Sequence, residues 1–133
     1  MKRYRAKCCD ILHDFKDEKA ICPSCANNII TQTEGRLVIY RKAMYMSCNQ
    51  KFEVFLNGEP FGDLVCKQEV TYCLPYGIYT LHFKCGETIK CKDITIELTP
   101  EKPEVDILTR VKMKFWKNVI VIEECDKEDF TDL

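Results

Sequence analysis

The stretch from Lys51 to Cys85, KFEVFLNGEPFGDLVCKQEVTYCLPYGIYTLHFKC, constrains the fold more than any other part of the chain. Phe52, Val54 and Leu56 alternate with Lys51, Glu53 and Phe55 at the two-residue period of a half-buried strand. Asn57-Gly58 follows directly, a pair that accepts positive φ and closes a hairpin. Gly62-Asp63 reads as a further turn. Val70, Tyr72 and Leu74 share one face of the next strand, and Pro75-Tyr76-Gly77 breaks it. Proline removes a ladder donor there, and glycine permits a reversal. Tyr79, Leu81, Phe83 and Cys85 then make an apolar side, with Thr80, His82 and Lys84 on the polar side.

The same grammar extends in both directions. Arg36 to Met46 is strand-like with apolar groups on both faces, Leu37 and Ile39 against Val38, Tyr40 and Met44. This predicts a central strand, or one with a face covered by the N-terminal segment. After Cys85, a three-residue loop at Gly86-Glu87-Thr88 aligns Cys85 with Ile89 and Phe83 with Cys91, which keeps apolar groups on one face. A two-residue loop would set Cys91 opposite His82. Ile94, Ile96 and Leu98 continue in shifted parity, so a break near Lys92-Asp93 is expected. Val105 to Phe115 reads as a long strand, Val119 to Ile122 as a last one, and 123–133 as an acidic tail. All five glycines fall where turns are needed, and short strands at intervals of about 8–12 residues suit an all-β sandwich. The segment most disposed to helix is Asp10–Lys19.

VFLNGEPFGDL followed by LPYGIYTLHF resembles the hairpin-and-strand pattern of PEGA-type and related carboxypeptidase-regulatory-like domains, over roughly residues 36–122. Leu74-Pro75-Tyr76-Gly77 replaces the usual run at the middle turn. The resemblance implies an immunoglobulin-like or prealbumin-like β-sandwich over 35–122. Such domains are generally non-catalytic and present surfaces, and the family has no catalytic residues to carry over.

Residues 1–34 differ in kind. They hold four of the ten cysteines and one of the two histidines. Cys22-Pro23-Ser24-Cys25 has the spacing of a zinc knuckle, whose turn lets two sulfurs face one ion. Cys8, Cys9 and His13 lie upstream at the distance of a partner knuckle. The segment resembles a short zinc ribbon, with Cys8 near the first ligand position and Ile11 where a second cysteine would stand. Cys9 or His13 would substitute. Adjacent residues seldom reach one ion, so His13 with Cys8 or Cys9 is the expected first half. The candidate ligands for a structural Zn²⁺ are therefore Cys8, Cys9, His13, Cys22 and Cys25. The same CxxC also reads as a redox dithiol, activated at a helix N-terminus within an α/β fold. No alternating strand–helix pattern follows it here.

A net charge of −1 argues against a nucleic-acid-binding chain. The basic run Lys2, Arg3, Arg5, Lys7 is followed closely by Asp10, Asp14, Asp17 and Glu18, and reads as a solvated terminus. No apolar run approaches the ~18–20 residues that span a bilayer, and Cys8-Cys9-Asp10 follows the basic start where a secretory signal would be apolar. Reduced thiols in the cytoplasm are expected, with Cys48, Cys66, Cys73, Cys85 and Cys91 packed as small apolar groups. There is no phosphate-binding glycine loop and no nucleophile elbow. His82 and Cys85, an odd number of residues apart on a strand, point to opposite faces. The expectation is a non-enzymatic interaction or structural module with a zinc site, meeting a protein partner through an edge strand or through anchors among Tyr40, Tyr45, Phe55, Tyr76 and Trp116. The alternatives are a thiol–disulfide redox protein using Cys22 and Cys25, and a nucleic-acid-binding ribbon.

Overall fold

A computed structural model describes residues 2–9, 11–16, 20–32, 34–42, 50–86, 89–114 and 117–126. Its elements run β1 (Lys2–Cys8), β2 (Ile11–Phe15), α1 (Ile29–Gln32), β3 (Gly35–Arg41), β4 (Phe52–Leu56), β5 (Glu59–Leu64), β6 (Glu69–Leu74), β7 (Gly77–Lys84), β8 (Lys90–Cys91), β9 (Ile94–Leu98), β10 (Glu104–Lys114) and β11 (Lys117–Glu124). They form a seven-stranded sheet in the order β2-β1-β6-β3-β10-β11-β8 and a four-stranded sheet in the order β5-β4-β7-β9. The fold is an all-β sandwich.

Strand alternation builds the core between the sheets. Leu37 and Ile39 of β3, Val70 and Tyr72 of β6 and Ile107 of β10 turn inward from the larger sheet. Phe52 and Val54 of β4, Leu81 and Phe83 of β7 and Leu98 of β9 meet them from the smaller one. Each such side chain contributes about 1.5–3 kcal/mol by leaving water. β3 lies between β6 and β10. Its apolar second face is explained by Val38, buried on the outer side. Met44, Tyr45, Met46, Cys48, Phe115 and Trp116 lie outside the described residues.

The local turns follow their sequence. Asn57 and Gly58 take φ of 52° and 80°, and Leu56 pairs with Glu59 across them. Cys85 faces Ile89. The parity break falls between β8 and β9, as the shifted pattern of Ile94, Ile96 and Leu98 requires.

Three stretches differ from their sequence reading. Gly62-Asp63 is no turn: β5 runs through it, and the register against β4 slips so that Val54 faces Gly62 while Phe55 faces Pro60. The extra residue, Phe61, is buried against Tyr72 with ring centroids 5.0 Å apart. Ile11–Phe15 is not helical but forms β2, paired across a hairpin with β1. The helical turn lies later, at Ile29–Gln32, where Asn28 Oδ1 accepts from the Ile30 amide as an N-cap. At the other end, Glu123 and Glu124 belong to β11, while 127–133 lie outside the described residues.

The N-terminal segment enters the larger sheet directly. β1 runs parallel to β6, from Lys2 opposite Glu69 to Ala6 opposite Cys73. Its arginines are partly or wholly buried, whereas Lys7 stays exposed. Arg3 pairs with Asp14, and Lys7 lies 3.5 Å from Glu59. Arg5 is 2% exposed. It donates through Nη1 to the Phe61 carbonyl at 3.2 Å and through Nη2 to Asp63 Oδ1 at 3.0 Å. Arg41, equally buried at the end of β3, donates to the Leu64 carbonyl at 3.0 Å and lies 3.8 Å over the Phe52 ring.

A methyl group at Gly62 would sit 1.6 Å from Arg5 Nη1, at a φ of +122°. The guanidinium has nowhere to go without leaving its partners, so Gly62→Ala is expected to cost about 1–3 kcal/mol or more in urea unfolding. Gly58→Ala, with open space around it, costs only the ~1–2 kcal/mol of a positive φ. Burial works to raise the Asp63 carboxyl, but Arg5, Lys51 and Arg3 overcome it and hold the group below the usual range. Its contribution to stability is complete above an unfolded pKa of about 3.9 and is lost as pH falls through the lower folded value. Asp63→Asn is expected to flatten the stability profile below about pH 4 in unfolding midpoints.

Candidate metal centre

The outer face of β1 carries Tyr4, Ala6 and Cys8, since strand alternation sends Arg3, Arg5 and Lys7 the other way. Residues 20–30 fold over that outer face. Ile29 N–H donates to the Ala20 carbonyl, Ile21 bridges Asn28, and Cys22 N–H donates to the Asn27 carbonyl at 3.0 Å. Ala26 N–H closes the tip on the Cys22 carbonyl at 2.8 Å, with Ala26 at a φ of 61°. The result is a miniature hairpin with Cys22-Pro23-Ser24-Cys25 at its end. Ala6, Cys8, Ala20, Cys22, Ile29, Ile30 and Cys73 bury one another beneath it.

Cys8 ends β1 opposite Ile11, and Cys9 follows with a φ of 54°. In a continuous strand these neighbours would face opposite ways. The positive φ turns the backbone back, so both thiols face the CxxC tip. The Sγ atoms of Cys8, Cys9, Cys22 and Cys25 all lie within 4.8 Å of one another. Cys8 and Cys9 are 3.9 Å apart, Cys8 and Cys25 3.6 Å, and Cys9 and Cys22 3.9 Å. A tetrahedral Zn²⁺ with Zn–S bonds of ~2.3 Å has sulfur–sulfur edges of about 3.8 Å. Those three separations match that edge and the remaining ones lie within 4.8 Å, so the four thiols can hold a metal such as zinc.

His13 occupies the rim. Its Nε2 lies 3.2 Å from the Cys8 carbonyl and 4.0 Å from Cys22 Sγ, and its ring stacks on Phe15. The expected pairing of His13 with one of the two adjacent cysteines therefore differs from the arrangement seen. The structure groups the four cysteines and sets His13 beside them. The backbone reversal at Cys9 is what alternation along a strand could not supply. Its only trace in the sequence is the polar Cys9-Asp10 step between two strand-like runs.

The thiols are electrostatically unequal. Amides of Cys25 and then Ser24 donate to Cys22, whose thiol is pulled down to about 6 against the effect of burial. Burial pushes Cys8 up to about 12, reinforced by the thiols of Cys25, Cys22 and Cys9. Cys9 is also raised, by Cys25 and then Cys22. Cys22 is thus the readily ionised thiol of the cluster, and burial with the neighbouring thiols opposes ionisation at Cys8. A bound divalent cation favours the thiolate form of the sulfurs that coordinate it.

Cys73 and Cys85 are buried and Cys91 half-buried, as expected of small apolar side chains, and Cys85 Sγ also donates to Gln50 Oε1 at 3.3 Å. Cys66 is disulfide-bonded, so the uniformly reduced state does not hold there. Among the expected anchors, Tyr40 and Phe55 are half-buried, and Tyr76 packs on the core. No helix among the described residues is long and apolar enough to cross a membrane. Comparison with protein-family models, curated proteins and solved structures finds no match.

Replacing a thiol and replacing His13 should separate ligand from neighbour. His13→Ala is expected to lower zinc affinity by no more than about 10–100-fold, the usual effect of losing an outer contact. Cys9→Ser should weaken it well beyond that, read by chelator competition on both variants.

Proposed function

We infer that this chain is a non-enzymatic interaction or structural module whose N-terminal hairpins are fixed by a structural zinc ion. One observation carries the reading: four cysteines from two separate hairpins bring their sulfurs within 4.8 Å of one another, three of the separations at the edge length of a tetrahedral zinc–thiolate site. All four positions are filled by protein, which is the pattern of a structural rather than a catalytic zinc. The ion would join the β1–β2 hairpin to the 20–30 hairpin across the small apolar cluster beneath them. The resemblance to PEGA-type and zinc-ribbon units supports a surface-presenting role. β2 is an outer strand of the larger sheet, with Ile11 and Leu12 exposed beside the centre. A partner strand would add to that edge by main-chain hydrogen bonds.

The lowered Cys22 thiol favours a second reading, a thiol–disulfide redox protein using Cys22 and Cys25. Metal analysis separates the two. Protein purified without added metal is expected to hold about one tightly bound zinc per chain, and the Cys22→Ser/Cys25→Ser variant none. Stripping that ion should cost about 4 kcal/mol or more, the linkage expected of a ligand present at ~1,000 times its Kd. A metal-free parent that reduces insulin disulfides, with the activity lost in Cys22→Ser, would replace the zinc reading with the redox one.

A further inference from the structure

A second cluster of unlike donors forms where the chain crosses between the sheets. It leaves the smaller sheet at Cys85, joins the larger one for the two residues of β8, which pair with Val119 and Ile120, and returns to the smaller sheet at Ile94. His82 reaches out from the polar face of β7. Cys91 and Asp93, two residues apart, turn toward it from the crossing. Asp93 Oδ1 lies 2.5 Å from His82 Nδ1, and one imidazole nitrogen, the Cys91 sulfur and one Asp93 oxygen all lie within 4.8 Å of one another. We propose that His82, Cys91 and Asp93 form a second, exchangeable binding site for a divalent transition metal of the zinc class.

The donor set argues for that class. One nitrogen, one sulfur and one carboxylate oxygen suit Zn²⁺ and its first-row neighbours, whereas Ca²⁺ and Mg²⁺ take oxygen ligands. Burial pushes the Cys91 thiol up, the Phe83 amide that donates to it works the other way, and the Asp93 charge adds to the rise, so the ion itself must draw out the thiolate. Filling the site asks little of the structure. Bonds of ~2.0–2.1 Å to nitrogen and oxygen give a tetrahedral edge of about 3.3–3.4 Å, so the His82–Asp93 hydrogen bond opens by less than about 1 Å. Both side chains have the freedom to do this, being 40% and 49% exposed. Three protein ligands leave a fourth position open, toward a recess also lined by Phe55, Thr80 and Lys84. The Lys84 ammonium makes an anion, such as hydroxide or a carboxylate, the favoured fourth ligand. This openness is the contrast with the four-cysteine centre: the ion here exchanges with solvent, and binding pins β8 between the sheets. The site uses none of the four-cysteine ligands and stands independently of that centre.

The test adds zinc to the full chain after weakly held metal has been removed by dialysis. Calorimetry and metal counting should show uptake of about one further zinc per chain by the parent. His82→Ala and Asp93→Ala should each weaken that uptake by at least about tenfold, with the tightly held metal unchanged. Cobalt added in place of zinc should give a thiolate-to-metal absorption band that disappears in Cys91→Ser. A parent that takes up no further metal overturns the proposal, and so does uptake that His82→Ala and Asp93→Ala leave unaltered. Failure of the four-cysteine reading is distinguishable, because it would appear as loss of the tightly held ion and not of the added one.

Discussion

Two buried arginines hold the sandwich closed along one margin. Arg5 and Arg41 start from different strands of the larger sheet, yet both reach β5, the outer strand of the smaller one, and both donate to its carbonyls. Removing a guanidinium from water costs several kcal/mol unless its donors are met. Here backbone oxygens, a carboxylate and an aromatic face meet them. The bulge at Phe61-Gly62 belongs to the same device. It turns Phe61 into the core, aims the Phe61 carbonyl at Arg5, and places a residue without a side chain where the guanidinium lies. The two sheets are thus fastened by directed hydrogen bonds as well as by apolar contact, and directed bonds fix register in a way that apolar contact does not.

β1 carries this fastening to the four-cysteine cluster. Its inward residues bind β5, and its outward residues support the four-cysteine cluster. Neither face can move without the other, because one short strand supplies both. The centre is therefore part of the sandwich's closure and not an appendage beside it. Asp14 on β2 reinforces the link by pairing with Arg3 and approaching Arg5 to 3.5 Å.

What was legible in the sequence is local. The Asn57-Gly58 hairpin, the alternation of β7, the Cys85–Ile89 register and the break before Ile94 all depend on neighbours within a few residues, and the sequence states them plainly. The CxxC tip was equally visible. Three things were not. The parallel pairing of β1 with β6 joins residues more than sixty positions apart, so a buried Arg5 looked like part of a solvated run. The Gly62 bulge has the composition of a turn, and only the pairing of both flanks with β4 shows otherwise. The convergence of adjacent Cys8 and Cys9 needed one positive φ at a residue that seldom adopts it. Each failure has the same cause: a side chain's direction was set by a distant partner or by a single backbone angle, not by periodicity.

The distance between β1 and its partner also has a consequence during synthesis. β1 leaves the ribosome ahead of β6, its neighbour in the sheet, whose paired residues lie sixty-seven positions later. At ~5–20 residues per second this leaves the first strand waiting for several seconds, with its arginines unburied and its cysteines unshielded. The 20–30 hairpin, by contrast, emerges at once beside Cys8 and Cys9. Metal captured by these four thiols on the nascent chain would keep them from wrong disulfides until the sheet that buries them exists.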